Sequence, residues 1–197
     1  MFYELTFVEG PVSPSVAYFG GDPYLPASIP WPTDSSGAPL MHLATFPAST
    51  LNRYIPALGL QEDLVVSIFS PYSTADDSYI DKAMNEGGVA VAYKPAHTAR
   101  DGYGTPIAPH RLINVVNNAA DDSEDNGTAK IAGIPAWLQD EEVRNGMIYV
   151  LQVNNSRLNK AAPTHKSILV GGTGYLLLRM GICGEDHAAG VFVIQTS

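Results

Sequence analysis

The amino-acid sequence predicts an α+β fold that is rich in β-strands, with a duplicated unit of mostly antiparallel strands and a few short helices on one core. The 197-residue chain contains 15 prolines and 18 glycines, which favours short strands and turns over long helices. Eight segments of six or seven residues are rich in β-branched and aromatic types. A stretch of the first half also aligns with one of the second. We therefore expect a single domain over 1–197, with repeat units at about 16–69 and 130–195 and a connecting region at 70–129.

The predicted strands are short and are bounded by Gly, Pro, Asn or Asp, as is typical of strands joined by turns. They lie at residues 2–8, 40–46, 64–69, 88–93, 111–116, 147–153, 174–180 and 190–195. Short helices are predicted at 49–54, 74–85 and 135–142. The second of these has Asp76 and Asp77 near its start, where the helix dipole favours acids. Residues 117–130, NNAADDSEDNGTAK, are predicted to be an exposed loop.

The repeat rests on one gapless alignment. LMHLATFPASTLN at 40–52 aligns with MIYVLQVNNSRLN at 147–159, with apolar positions matching along the strand. A Gly-x-Pro precedes each stretch, at 21–23 and at 133–135. This pattern indicates an ancient duplication, and chance similarity of short strands is the alternative.

Residues 20–32, GGDPYLPASIPWP, combine four prolines with aromatic side chains. Proline removes backbone donors, so this stretch is neither a helix nor a central strand. It is nevertheless apolar, unlike a solvated linker. We expect it to pack against the sheet, with Tyr24, Trp31 and, in the second half, Trp137 supplying buried area.

The chain is acidic. Twenty Asp and Glu residues against eleven Lys and Arg residues give a formal net charge of −9 and a pI near 4.8. Nucleic acids and anionic membranes are poor partners for such a chain, because their affinity for proteins comes from Lys and Arg. A basic protein is a better partner, and an acidity that serves solubility alone is the alternative.

Three features of the sequence favour a cytoplasmic location. The first residues, MFYELTFVEG, carry acids where a signal peptide has basic residues. No apolar run approaches the length of about 20 residues that a membrane span needs. The single cysteine, Cys183, excludes an internal disulfide and is interpreted as a buried structural thiol in a reducing compartment.

Residues for catalysis are scarce, and no catalytic residue, metal or cofactor is predicted. The five histidines show no paired metal spacing, and His42 is interpreted as a satisfied histidine of the core or its boundary. The cluster at 185–187 lies in a glycine-flanked turn and is interpreted as solvated. Residues 122–127, DSEDNG, begin like a calcium loop, but the twelfth position holds Gly133 instead of a bidentate glutamate.

Several motifs together resemble a known family. FGGDPYLPASIPWP followed by GAPLMHLATF, and then KIAGIPAWLQ, IYVLQVNN, GGTGYLLLR and GVFVIQ, are similar to elements of the YwqG-like family of bacterial domains of unknown function. The chain departs from that pattern at Thr45, where the family usually carries glutamine, and at 170–172, where it often carries Trp-Gly-Asp. The resemblance implies an α+β fold with a duplicated unit and no established chemistry. It also implies toxin immunity as a functional class, because members occur beside secreted polymorphic toxins.

The acids cluster in two segments, which suggests where a partner binds. Seven acids lie between Asp121 and Glu142, and six lie between Glu62 and Glu86. Exposed carboxylates speed encounter with a cationic partner. We therefore expect a non-catalytic cytosolic immunity protein that binds and neutralises a cognate antibacterial toxin. The expected toxin is basic in charge, and a nuclease is one candidate. The expected partner-binding residues are Asp121, Asp122, Glu124, Asp125, Asp76 and Asp77. A small-ligand or enzymatic domain with a cleft between the two repeat units is the second hypothesis, and a plain scaffold module is the third.

Overall fold

Ten antiparallel strands form one closed barrel in the computed structural model, which describes residues 1–102, 106–108, 110–117 and 129–197. In chain order the strands are β1 (Tyr3–Val8), β2 (Tyr18–Phe19), β3 (Met41–Pro47), β4 (Val65–Ser70), β5 (Gly88–Tyr93), β6 (Arg111–Asn117), β7 (Lys130–Ile131), β8 (Met147–Asn154), β9 (Thr173–Arg179) and β10 (Asp186–Gln195). Around the barrel they follow the order β1, β6, β2, β3, β4, β5, β10, β9, β8, β7. The pairing of β7 with β1 closes the ring.

The described ranges contain three α-helices of seven residues each and one turn of 3₁₀ helix. They are α1 (Ala48–Tyr54), the 3₁₀ turn at Pro56–Leu58, α2 (Tyr79–Asn85) and α3 (Asn155–Ala161). Within those ranges, every helix falls short of the length and apolar character that crossing a membrane requires.

The expected α+β class with a duplicated unit on one core is wrong. The fold is mostly β, because all ten strands join one closed sheet and the helices are three short segments. The halves do share an order of elements, since β3 and β8 each lead directly into a seven-residue helix. They do not form two separate units, however, because the strands of both belong to one closed sheet, in which β5 of the connecting region pairs with β10.

The individual strand predictions agree with the structure to within a residue or two, except that β10 begins four residues earlier than predicted, at Asp186. The helix at 49–54 is confirmed as α1. The helix predicted at 74–85 begins only at Tyr79. The helix predicted at 135–142 is wrong, because the segment has an irregular conformation. The two-residue strands β2 and β7 were not predicted, since two residues carry no periodicity.

The inside of the barrel is filled by apolar side chains. They include Leu5, Phe19, Leu43, Phe46, Ile68, Val150, Leu176 and Phe192, each at most 3% exposed. The cavity left among them measures about 30 Å³, which is room for about one water molecule. The interior is therefore a packed core and not a ligand chamber.

Helices α1 and α3 cover opposite ends of this barrel. Five antiparallel steps separate β3 from β8, so the two strands run in opposite directions and their following helices lie at opposite ends. Leu51 of α1 and Leu158 of α3 are both buried in the same apolar cluster as the barrel interior. Each helix thus seals the core at the end where its preceding strand finishes.

The proline-rich loop at 20–32 packs on the outer face of β3, β4 and β5, as expected. Leu25, Ile29 and Trp31 of the loop form a second buried cluster with side chains of the sheet, namely Leu40, Val65, Phe69, Val91 and Tyr93. The indole N–H of Trp31 donates to the Leu40 carbonyl at 2.8 Å. The loop therefore acts as an outer layer that keeps this face of the barrel away from water.

Glycine is required where the chain enters this loop. Gly20 and Gly21 both have positive φ angles, of 75° and 65°. A Cβ on Gly20 would lie 2.8 Å from the Ile107 carbonyl oxygen. Both the backbone conformation and the close approach therefore exclude larger residues at Gly20.

We predict that Trp31→Ala lowers the free energy of unfolding by about 3–5 kcal/mol, because it empties a buried aromatic site. Trp137→Ala is expected to cost less, since Trp137 is only partly buried beside Tyr175. Denaturant unfolding measures both free energies. Leu138→Ala, at an exposed position between β7 and β8, is the control. An unchanged midpoint for Trp31→Ala would show that the indole does not anchor the loop.

Candidate functional site

Two of the six expected partner-binding residues can be placed. Asp76 and Asp77 lie in the turn at 74–78 before α2, and both are exposed. Asp76 Oδ1 accepts the Ser78 N–H at 2.9 Å, and hydrogen bonds from Ser78 hold the pKa of Asp76 below its ordinary value. The turn is thus ordered locally and presents an ionised carboxylate to solvent. Asp121, Asp122, Glu124 and Asp125 lie outside the described residues, as does the calcium-like segment 122–127.

A groove of about 440 Å³ lies against this turn, and we call it the tyrosine groove. Its walls are the hairpin around 34–41 and the segment 71–82, so that Thr74 and Ser78 line it on either side of the two aspartates. The rings of Tyr72 and Tyr79 lie 4.8 Å apart between centroids on one wall. Their sequence signal was weak, because two tyrosines seven residues apart on either side of a turn follow no strand period.

Backbone carbonyl groups hold the hydroxyl groups of both tyrosines in place. Tyr72 donates to the Lys166 carbonyl at 3.0 Å, and Tyr79 donates to the Ser167 carbonyl at 3.1 Å. With the hydroxyls bonded to the protein, both rings are restrained where they line the groove, Tyr79 buried and Tyr72 partly buried. Rigid aromatic side chains of this kind lose little entropy when they bind a partner.

The charged residues that line the tyrosine groove are Asp34 and Lys82, and the turn beside it carries Asp76 and Asp77. Lys82 forms an ion pair with Asp34 and also bonds Ser36 Oγ, and these contacts hold the pKa of Asp34 well below its usual range. Lys82 is therefore already neutralised by the protein. Within the part of the chain that the structure describes, no cation lies within ion-pair distance of Asp76 or Asp77.

The same neutralisation holds for most basic residues of the described chain. The residues paired with carboxylates are Lys82, Lys94, Arg111, Arg144, Arg157 and Arg179. Because the bases are bound within the molecule, the surplus of acids is carried on the surface. Asp76 and Asp77 belong to that uncompensated surplus.

A chain of buried polar groups lies beneath the loop at 20–32. His42 contacts the Gly21 carbonyl oxygen through Nδ1 at 2.9 Å and Thr45 Oγ1 through Nε2 at 2.9 Å. Thr45 Oγ1 lies 2.6 Å from Ser67 Oγ, which lies 2.5 Å from the Tyr93 hydroxyl. All four side chains are at most 4% exposed. The sequence prediction that His42 is a satisfied core histidine is confirmed.

The donor and acceptor of each hydrogen bond in this buried network follow from the Gly21 carbonyl at one end of it. The Gly21 carbonyl only accepts, so Nδ1 of His42 carries the proton and Nε2 accepts from Thr45. Ser67 can then donate to Thr45, and Tyr93 can donate to Ser67. Burial lowers the pKa of His42 to about 4, which keeps the ring neutral and this order intact. Among the described grooves, none is lined by these four side chains, so the network serves to attach the loop.

A second outer loop, residues 132–146 between β7 and β8, is held by glutamine side chains of the barrel. Gln152 Oε1 accepts the Ala136 N–H at 2.8 Å, and Gln195 Oε1 accepts the N–H groups of Leu138 and Gln139, each at 3.1 Å. The N–H groups of Leu138 and Gln139 are the first that a helix beginning at Pro135 would bond internally, and Gln195 takes both of them in the irregular segment that replaces the predicted helix. Thr45 and Gln152 occupy equivalent places in the sequence alignment, and each helps to hold an outer loop.

Two further sequence interpretations can be checked. Cys183 is exposed, so its interpretation as a buried thiol is wrong. The residue follows β9 in the turn before β10, beyond the cover of either loop. Glu185 and His187 are both exposed and bond to each other at 2.7 Å, in agreement with a solvated cluster. Over the described ranges, no three His, Cys, Asp or Glu side chains are placed to hold a metal ion.

The chain belongs to a protein family described as Domain of unknown function (DUF1963). The family model matches residues 17–123, which is just over half of the chain. This segment covers β2 to β6, together with the loop at 20–32 and the tyrosine groove. No curated protein matches the sequence.

We predict that His42 makes stability depend on pH. The buried neutral His42 has a pKa near 4, so it binds a proton only at a lower pH than the same histidine in the unfolded chain, whose pKa is near 6.5. Stability is therefore lost as the pH falls from about 6.5 to about 4, by roughly 3 kcal/mol from this group. In His42→Asn, whose amide can still donate to Gly21 but does not titrate, this part of the slope is expected to vanish.

Urea unfolding between about pH 7 and about pH 4 measures both slopes. His187→Asn is the control, because it makes the same substitution at an exposed histidine outside the buried network. Equal slopes for the wild-type protein and His42→Asn would contradict the assignment.

Proposed function

We propose that the protein is a non-catalytic immunity protein that binds a cognate antibacterial toxin and neutralises it. The observation that carries the proposal is the tyrosine groove with the exposed Asp76 and Asp77 on the turn beside it. The proposal includes the YwqG-like assignment of the family, a bacterial origin and a cytoplasmic location. It also keeps Asp121, Asp122, Glu124 and Asp125 as further partner-binding residues.

The groove suits an arginine or lysine of a basic partner. A cation that enters it would meet the aromatic rings of Tyr72 and Tyr79 and the carboxylates of the adjoining turn. Cation–π contacts contribute about 0.5–2 kcal/mol, and more as the site is desolvated. Tyrosine and arginine are also the residue types on which binding energy concentrates at interfaces. The exposed acids would speed the encounter, and the aromatic groove would slow dissociation.

We predict that Asp76→Asn/Asp77→Asn slows association with the cognate toxin by roughly two- to tenfold at low salt, with a smaller effect at high salt. The partner is the purified product of the adjacent reading frame, and stopped-flow binding gives the rates. Asp101→Asn/Glu141→Gln changes the net charge equally at exposed positions outside the groove and is the matched control.

Folding of the double variant is expected to be unchanged, because exposed acids contribute little to stability and the amide introduced at position 76 keeps an acceptor for the Ser78 N–H. Equal slowing in both double variants would show that only net charge matters. An unchanged rate in the Asp76/Asp77 variant would reject this turn as the steering surface.

A small-ligand site is the second candidate, and one groove favours it. A space of about 380 Å³ lies where β5 pairs with β10, and Trp31, Val89, Val91 and His187 are among its lining residues. This volume is within the range of small-molecule sites. A ligand bound there would alter the fluorescence of Trp31, and this change would be absent in Trp31→Phe. A toxin that binds at the tyrosine groove would instead bind Trp31→Phe normally.

A further inference from the structure

A third groove lies between β1 and α3, beside the short pairing that closes the barrel. Strand β7 pairs with β1 at Tyr3 and Glu4, and among the described residues no strand pairs with the rest of β1 on that side. Helix α3 fills part of the gap and leaves a space of about 390 Å³. It shares no lining residue with the tyrosine groove. We call it the anion groove, for the reasons that follow.

Three basic side chains line this space, in a protein whose net charge is −9. Arg111 comes from β6, and Arg157 and Lys160 come from α3. Two carboxylates are bound to them, since Glu9 bonds Arg111 at 2.7 Å and Glu4 bonds Arg157 at 2.8 Å. The five groups leave one positive charge in excess, so the groove is a local exception to the acidic surface.

The two side chains of the Arg111–Glu9 ion pair differ in their exposure to solvent. The Arg111 side chain is 18% exposed and is held against the barrel, whereas the Glu9 side chain is 87% exposed on the chain beyond β1. Exposed ion pairs of this kind contribute at most about 1 kcal/mol. An incoming oxyanion can therefore displace Glu9 at little cost while Arg111 stays in place. Glu9 occupies the position that a ligand's anionic group would take.

A backbone donor faces the same space. Phe7 is the partner of Ile113 in the pairing of β1 with β6, and the N–H of Ile113 donates to Ala17 on β6's other side at 2.9 Å. The two residues therefore form a pair that exchanges no hydrogen bonds, and the N–H of Phe7 points away from β6. On that side the Leu5 N–H donates to Ala129 at 2.8 Å, but no acceptor for Phe7 lies within the described ranges.

We propose that the anion groove binds a small phosphate-bearing molecule. Its phosphate contacts Arg111, Arg157 and Lys160 together with the Phe7 N–H, and its apolar part lies on Leu5, Phe7 and Ala161. Guanidinium groups and backbone N–H groups are the donors that phosphate oxygens use, and charge-assisted bonds of this type are the strong ones. A volume of about 390 Å³ suits a small molecule and not a polymer.

Calorimetric titration of the full chain with phenyl phosphate tests this proposal. We expect one site per chain and a loss of at least about tenfold in affinity for Arg111→Gln, because a charge-assisted bond is removed. Lys94→Gln makes the same charge change at an exposed lysine on another part of the barrel and should bind normally. Glu9→Gln should bind several-fold more tightly, since it removes the competing carboxylate at an exposed position where folding is not affected.

Titration with inorganic phosphate separates the phosphate from the apolar contact. We expect it to bind at the same groove and more weakly than phenyl phosphate, because it makes no contact with Leu5 and Phe7. Equal affinities of the two compounds would overturn the apolar part of the proposal. The absence of a binding heat, or equal affinities of the wild-type protein, Arg111→Gln and Glu9→Gln, would overturn the site itself.

Discussion

The structure depends on closing a sheet whose inner face is apolar. Nine strand pairings run around the barrel, and the tenth, between β1 and β7, brings the two edges together over only two residues of each strand. Without that pairing, β1 and β7 would be edge strands and the core beside Leu5 would open to water. Helices α1 and α3 seal the two ends. Covering the apolar inner face is therefore a task that the whole chain shares.

The outer face imposes a second requirement, which the two irregular loops meet. Their backbones have few internal hydrogen bonds, so polar side chains of the barrel must supply partners for them. His42 does this for the loop at 20–32, and Gln152 and Gln195 do it for the segment that follows β7. The loops and the strands beneath them are consequently one layered unit. The tyrosine groove lies beside this layer, at the end of β4.

The sequence was sufficient to locate the longer strands, because period-two patterns and turn residues are local signals. It was also sufficient to predict that Trp31 packs and that His42 is a satisfied buried histidine. It did not reveal the barrel, since closure rests on β7, whose two residues have no pattern of their own. Nor did it reveal the groove around Tyr72 or the bases around Arg111, because segments distant in sequence build both. The helix at 135–142 was wrongly predicted, because Gln195 of a distant strand binds the N–H groups of Leu138 and Gln139 that the helix would have used internally.

The tyrosine groove lies at the end of β4, and the anion groove lies beside the pairing of β1 with β7 that closes the barrel. That pairing is therefore the feature to measure. Hydrogen exchange of the amides of Leu5 and Phe7, two residues apart in β1, reports on it directly. We predict that the Leu5 amide exchanges only through large-scale unfolding, whereas the Phe7 amide exchanges faster by orders of magnitude. Equal protection of both amides would show that β1 is paired along its whole length, and rapid exchange of both would show that the barrel is not closed.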